Sequence, residues 1–189
     1  MKPIPEQAFR KIAFIGNYVP RQCGIATFTT DLCEAVAAGY PGIELFAIAM
    51  NDRAEGYDYP ARVRFEIQQD ELFTYHSAAD FLGLFDVDLV CLQHEFGIFG
   101  GKAGRHLLVL LEDLQMPIVT TLHTVLETPD LEQKSVMDRL IQLSDRMVVM
   151  SQRGNGYLQE IYGVPAEQID LIPHGIHDVP FMDPNFYKD

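Results

Sequence analysis

VDLVCLQHEFGIFGGKAGRHLLVLLEDLQMPIVTTL, from Val87 to Leu122, sets two short apolar runs on either side of a longer leucine-rich one. Val87–Leu92 (VDLVCL) is almost continuously apolar, which suits a strand buried on both faces. Pro117–Leu122 is a second strand of similar length. Between them, Lys102–Leu114 carries Leu107, Leu108, Leu110, Leu111 and Leu114 at helical spacing. Strand, helix and strand in that order imply parallel strands joined by a crossover helix.

The alternation continues outward in both directions. Upstream, Lys11–Gly16 (KIAFIG) reads as a strand, and Ile25–Ala38 as a helix with Ile25, Phe28, Leu32 and Val36 on one stripe. Ile43–Met50 and Arg62–Ile67 are further strands, and Glu71–Phe85 is a helix. Downstream come a helix at Leu131–Leu143, a strand at Arg146–Met150 (RMVVM), a helix at Ser151–Tyr162 and a short strand at Ile169–Ile172. Ser151 suits an N-cap and Gly163 a helix stop. The expected fold is α/β: a Rossmann-like, mainly parallel sheet of six or seven strands with helices on both faces. Asn51–Pro60 (NDRAEGYDYP) reads as a mobile loop.

The 189 residues suit one domain, expected over 1–175. After Gly175 the sequence IHDVPFMDPNFYKD has linker composition, so 176–189 is expected to be an interdomain tail, with a second domain absent from this chain. Hydrophobic residues at 48% and charged ones at 22% are ordinary for a soluble globular protein. The net charge of −13 argues against duplex nucleic acid and against an anionic membrane surface, both of which need clustered cations. Cys23, Cys33 and Cys91 are odd in number and far apart, which argues against a disulfide framework and a zinc site; reduced thiols in the cytoplasm are expected. No apolar run reaches the roughly 18 residues of a transmembrane helix, and Met1–Arg10 has no apolar signal core.

In an open parallel sheet, ligands bind beyond the carboxyl ends of the strands, where strand order reverses. Three segments fall there. Asn17–Thr27 (NYVPRQCGIAT) follows the first strand, and Gly24 would let a ligand approach the start of a helix, where anions are favoured. It is neither a dinucleotide fingerprint nor a P-loop, which speaks against an oxidoreductase; a plain turn with a helix-start glycine is the competing reading. Gln93–Lys102 (QHEFGIFGGK) supplies His94, Glu95, Gly100, Gly101 and Lys102 as candidate substrate-binding residues. For His94 the competing reading is a buried core histidine. Thr120–Glu127 (TTLHTVLE) places His123 at a strand end, where a structural loop histidine is the alternative. Arg153, after the sixth strand, could reach an anion. Phe96 and Phe99 read as loop packing, and His76 and His106 as boundary residues.

These segments resemble the family-4 glycosyltransferases, retaining enzymes of the GT-B architecture. The resemblance runs from FIGNYVPRQCGIATFTTDL through QHEFGIFGG and TLHTV to VMSQRGNGYL and IPHGI. Cys23–Gly24 stands where the family often has two glycines, and His174 where it more often has asparagine. The resemblance implies the amino-terminal, acceptor-binding half of an enzyme whose other half holds most of the nucleotide sugar. It implies hexosyl transfer with retained configuration from a UDP- or GDP-linked donor to a glycan, lipid or small-molecule acceptor, with no cofactor and no obligatory metal. It implies that Gly24 lies near the donor phosphates, that His123 acts beside the transferred sugar, and that His94 and Glu95 line the acceptor side. Two other readings of the chain are a non-catalytic nucleotide- or sugar-binding module and half of a sugar-nucleotide epimerase.

Overall fold

The computed structural model describes residues 9–175. In chain order its elements are β1 (Lys11–Gly16), α1 (Gly24–Gly39), β2 (Glu44–Asn51), β3 (Val63–Gln68), α2 (Leu72–Leu84) and β4 (Leu89–His94). They continue with α3 (His106–Asp113), β5 (Ile118–Leu122), α4 (Leu131–Leu143), β6 (Arg146–Val149), α5 (Gln152–Glu160) and β7 (Ile169–Leu171). All seven strands pair in parallel, in the order β3-β2-β1-β4-β5-β6-β7. The order reverses between β1 and β4, as a Rossmann-like sheet requires.

Crossovers between parallel strands are right-handed, so the direction of travel across the sheet decides which face a helix covers. The step from β1 to β2 puts α1 on one face, where Cys33 packs with Phe14, Leu45 and Ala47. The steps from β3 onward run the other way. They put α2 to α5 on the opposite face, where Leu82, Leu107, Leu140 and Leu158 join Ile15, Phe46, Leu92 and Val149 in the larger core. Each large apolar side chain buried in this way contributes roughly 1.5–3 kcal/mol. Among the described residues, the first face thus has one helix, over β1 and β2, and none over β4 to β6.

Two element boundaries differ from the sequence reading. The helix expected from Lys102 begins only at His106, because Gly101, Ala103 and Gly104 all take positive φ (74°, 54° and 77°). Left-handed residues cannot continue a right-handed helix. Strand β4 runs two residues further than its apolar stretch, since Gln93 and His94 still pair with Thr121 and Leu122. The 51–60 loop, read as mobile, is tied by side chains: Tyr59 Oη donates to Asn51 Oδ1 (2.9 Å), and Tyr57 Oη to Asp52 Oδ1 (2.8 Å). The expected tail at 176–189 lies outside the described residues.

Candidate functional site

The uncovered face becomes a cleft of about 1290 Å³ between the flank of α1 and strands β4, β5 and β6. Cys91, Val119 and Val148 form its apolar floor, and Phe28 and Leu32 of α1 one wall. At the carboxyl edge of the sheet the lining turns polar, with Asn17, Arg21, Gln93, Thr121 and His123. The apolar floor and polar rim sit at the switch in strand order, where a ligand site is expected.

The first helix opens directly onto this rim. Cys23 is its N-cap: Sγ accepts from Ala26 N–H (3.3 Å) and from Asn17 Nδ2 (3.2 Å). Gly24 is the first helical residue, and a Cβ there would meet nothing within 4 Å. Arg21 brings a cation to the rim, held by Asn17 Oδ1 (3.1 Å), the Met50 carbonyl (3.2 Å) and Asp52 (3.1 Å). Asp52 therefore already offsets part of the Arg21 charge.

His123 follows β5 and extends the ladder by one bond, its N–H donating to the His94 carbonyl (3.0 Å). The half-buried ring meets Gln93: Nε2 and Gln93 Oε1 lie 3.1 Å apart. Phe28 packs edge-on against it, ring centroids 4.9 Å apart. Burial holds the imidazole below its usual range; Glu95 pulls the other way and His174 adds to the lowering. The ring is neutral at pH 7. Burial likewise pushes the Cys91 thiol up to about 12, so it offers no thiolate to the cleft.

Of the eight candidate residues, the cleft gathers Gly24 and His123 and leaves out the other six. Successive side chains of a strand point to opposite faces, so with Gln93 in the cleft, His94 lies beneath the sheet. There it is completely buried between Phe96 and Phe99, with neither ring nitrogen hydrogen-bonded among the described residues. The expectation that His94 lines the cleft is corrected accordingly. Burial depresses its pKa to about 3, and His123 acts in the same direction. Glu95 is a strut: Oε1 accepts from Phe96 N–H (3.0 Å) and Oε2 from Thr124 Oγ1 (2.5 Å), joining the loops after β4 and β5.

Gly100 donates its N–H to Tyr75 Oη (2.9 Å), and a Cβ there would sit 1.8 Å from the Gln69 carbonyl, so packing accounts for it. Gly101 serves the left-handed turn before α3. Lys102 pairs with Glu132 (3.3 Å), and Arg153 with Glu127 (3.1 Å) and Tyr157 Oη, all on the surface. The residue missed from sequence is Gln93. The signal was present: an amide in an otherwise apolar strand, one residue before the strand end and in phase with Cys91.

Among the described residues, no group of three His, Cys, Asp or Glu is arranged to hold a metal ion, and no helix is long and apolar enough to cross a membrane. All three cysteines are unpaired.

A sequence model of Glycosyltransferase Family 4 matches residues 23–178. No curated protein matches the chain. Among solved structures, a lipopolysaccharide outer core galactosyltransferase, WaaB in its apo form, aligns with a TM-score of 0.64 at 13% identity, over 88% of this chain and 46% of its own. A glycosyltransferase from Rickettsia africae ESF-5 aligns with a TM-score of 0.63 at 16% identity, over 90% of this chain and 44% of its own. At such identities the likeness is one of fold, and the chain spans less than half the length of either structure.

Proposed function

Because the chain belongs to Glycosyltransferase Family 4, we propose that it forms the acceptor-side half of a retaining hexosyltransferase that uses a UDP- or GDP-linked sugar. The acceptor is a glycan, a lipid or a small molecule. In this reading residues 1–175 are the amino-terminal domain, 176–189 lead to a second domain that holds most of the donor, and the enzyme works in the cytoplasm. The length of the solved relatives supports a partner domain, and the three unpaired thiols support a reducing compartment.

One observation carries the proposal: the open amino terminus of α1 and the neutral His123 face the same cleft at the switch in strand order. The chemistry must stabilise an oxocarbenium-like sugar and a departing diphosphate. Backbone N–H groups at Gly24 favour the anionic diphosphate. A neutral imidazole beside the sugar hydrogen-bonds a hydroxyl without adding positive charge next to a developing cation. Such catalysis works through placement and electrostatics.

The test is a product assay of the protein carrying both domains against a panel of UDP- and GDP-sugars, with sugar release to water as the acceptor-free readout. Turnover of one donor with retained anomeric configuration is the expected result. Binding without turnover would make the chain part of a binding module, and an epimerised nucleotide sugar would make it part of an epimerase.

A further inference from the structure

We infer that Gln93 is a sugar-binding residue of this cleft and also positions His123: its Oε1 accepts from His123 Nε2–H, and its Nε2 donates to a hydroxyl oxygen of the bound sugar. The inference rests on the transferase reading above and goes beyond it by naming the group that holds the sugar and orients the histidine.

The Gln93 side chain is fully buried yet lines the cleft, and its Nε2 has no hydrogen-bond partner among the described residues. A buried amide donor left unpaired is costly, and native structures keep few of them without a reason. The neighbouring strand makes room for this side chain. A Cβ on Gly16 of β1 would come within 2.9 Å of Gln93 Cβ and 3.5 Å of its Cγ. The glycine that ends β1 thus lets the amide stand where it does.

The carboxamide oxygen is already committed to His123 at 3.1 Å. With Oε1 facing the ring, the imidazole carries its proton on Nε2, and Nδ1 keeps its lone pair, with no hydrogen bond among the described residues. The polar edge of the cleft therefore holds an N–H donor on Gln93, closed to water and unpaired among the described residues, and a nitrogen acceptor on His123. The two groups lie on opposite sides of the His123 ring, so a polyhydroxylated ring satisfies them with separate hydroxyls, one accepting from Gln93 and another donating to Nδ1. A phosphate has no proton to offer a neutral imidazole at pH 7, so the pair selects an alcohol over an anion. The amino terminus of α1, in the same cleft, is left to the anionic part of the donor.

The experiment uses the protein with both domains and compares the wild type with Gln93→Leu and Gln93→Glu. Three quantities are read: affinity for the nucleotide sugar, affinity for the nucleoside diphosphate alone, and transfer rate against pH. Gln93→Leu, which keeps the shape and removes the unpaired amide, is expected to hold or raise the melting temperature. It should weaken the nucleotide sugar by about 10–100-fold and leave the diphosphate unchanged. Among donors lacking single hydroxyls, one should lose affinity with the wild type and lose nothing further with Gln93→Leu, the signature of a direct contact. Gln93→Glu still accepts from Nε2–H but places a carboxylate beside the ring. The acidic limb of the rate profile should therefore move to higher pH, by about a unit or more. A role in packing alone would leave the deoxy-sugar cycle unmoved, whereas the pH limb reads the contact between residue 93 and His123. Wild-type affinity for the intact donor in Gln93→Leu overturns the inference while leaving the transferase standing. Failure of the wild type to bind any nucleotide sugar overturns the transferase reading itself.

Discussion

His94 ends β4 and His123 directly follows the neighbouring parallel β5; the two are joined backbone to backbone, yet they occupy opposite environments. His123 sits half-buried on the cleft side, with Gln93 on its ring and Phe28 at its edge. His94 is sealed under the sheet between Phe96 and Phe99, with neither nitrogen bonded among the described residues. Both follow an apolar strand, and both come just before a loop. What separates them is one position of phase in a repeat of two. A polar residue at a strand end marks a candidate site only once its face is known, and among the described residues the face with a single helix is the one that carries the cleft.

The sharpest way to break this contrast is to truncate the cleft-side ring. His123→Ala is expected to lower sugar transfer by about 10²–10³, the usual loss when a placed hydrogen-bonding group is removed from a reacting centre. Half-buried, the ring packs edge-on against Phe28 and meets one amide, so it adds little apolar burial to the fold and the melting temperature should fall by only about 2–4 °C. Paired rate and melting measurements on the two-domain protein decide it. A loss of stability typical of a core truncation, or an unchanged rate, would erase the distinction between the two histidines.

The sealed ring is probed by acid. Its folded pKa of about 3 lies below the ordinary 6.5, so below pH 6.5 the unfolded chain binds a proton that the folded one refuses. Stability is complete above pH 6.5 and falls as the pH drops from there towards 3, by on the order of 2 kcal/mol at pH 5. His94→Leu removes both the titration and the two unpaired nitrogens. It is expected to melt at or above the wild-type temperature at pH 7.5, to lose several degrees less on going to pH 5, and to keep a near wild-type transfer rate. A His94→Leu protein that folds normally but no longer transfers sugar would put His94 back in the site.

The architecture is legible because alternation, apolar runs and Leu-rich stripes are dense from Lys11 to Leu171; right-handed crossovers then decide which face each helix covers once the strand order is known. The start of α3 is not, since Gly101, Ala103 and Gly104 form a left-handed turn that leucine periodicity does not register. In the site, position along a strand was readable, but phase was judged from residue type. His94 and Glu95 are the conspicuous polar residues at the end of β4, yet it is the in-phase Gln93 that lines the cleft. Lys102 and Arg153 stood out by charge, although each has a nearby carboxylate, Glu132 or Glu127, that only the folded chain brings alongside.

The smallest expected effect concerns two glycines, one on each side of the same contrast. Gly100, on the sealed side, is explained by packing, because any Cβ would collide with the Gln69 carbonyl. Gly24, on the cleft side, has open space where its Cβ would be. Nothing within the described fold requires glycine there. Alanine in the first turn of α1 narrows the unfolded ensemble and should stabilise the fold by about 0.4–1 kcal/mol, or about 1–4 °C in melting temperature. A requirement for glycine at that position then has to come from what enters the cleft. If the backbone N–H groups at the start of α1 approach a diphosphate, the added methyl holds it away and weakens the charge–dipole attraction, which falls off within the first turn. Affinity for the nucleoside diphosphate is expected to drop about 10-fold in Gly24→Ala, while the Gln93-dependent preference among sugar hydroxyls stays intact. Calorimetric titration and a melting curve on the same sample separate the two terms. A Gly24→Ala protein that is more stable and binds diphosphate as tightly as the wild type would move the anion away from α1, and towards Arg21, a cation on the same rim.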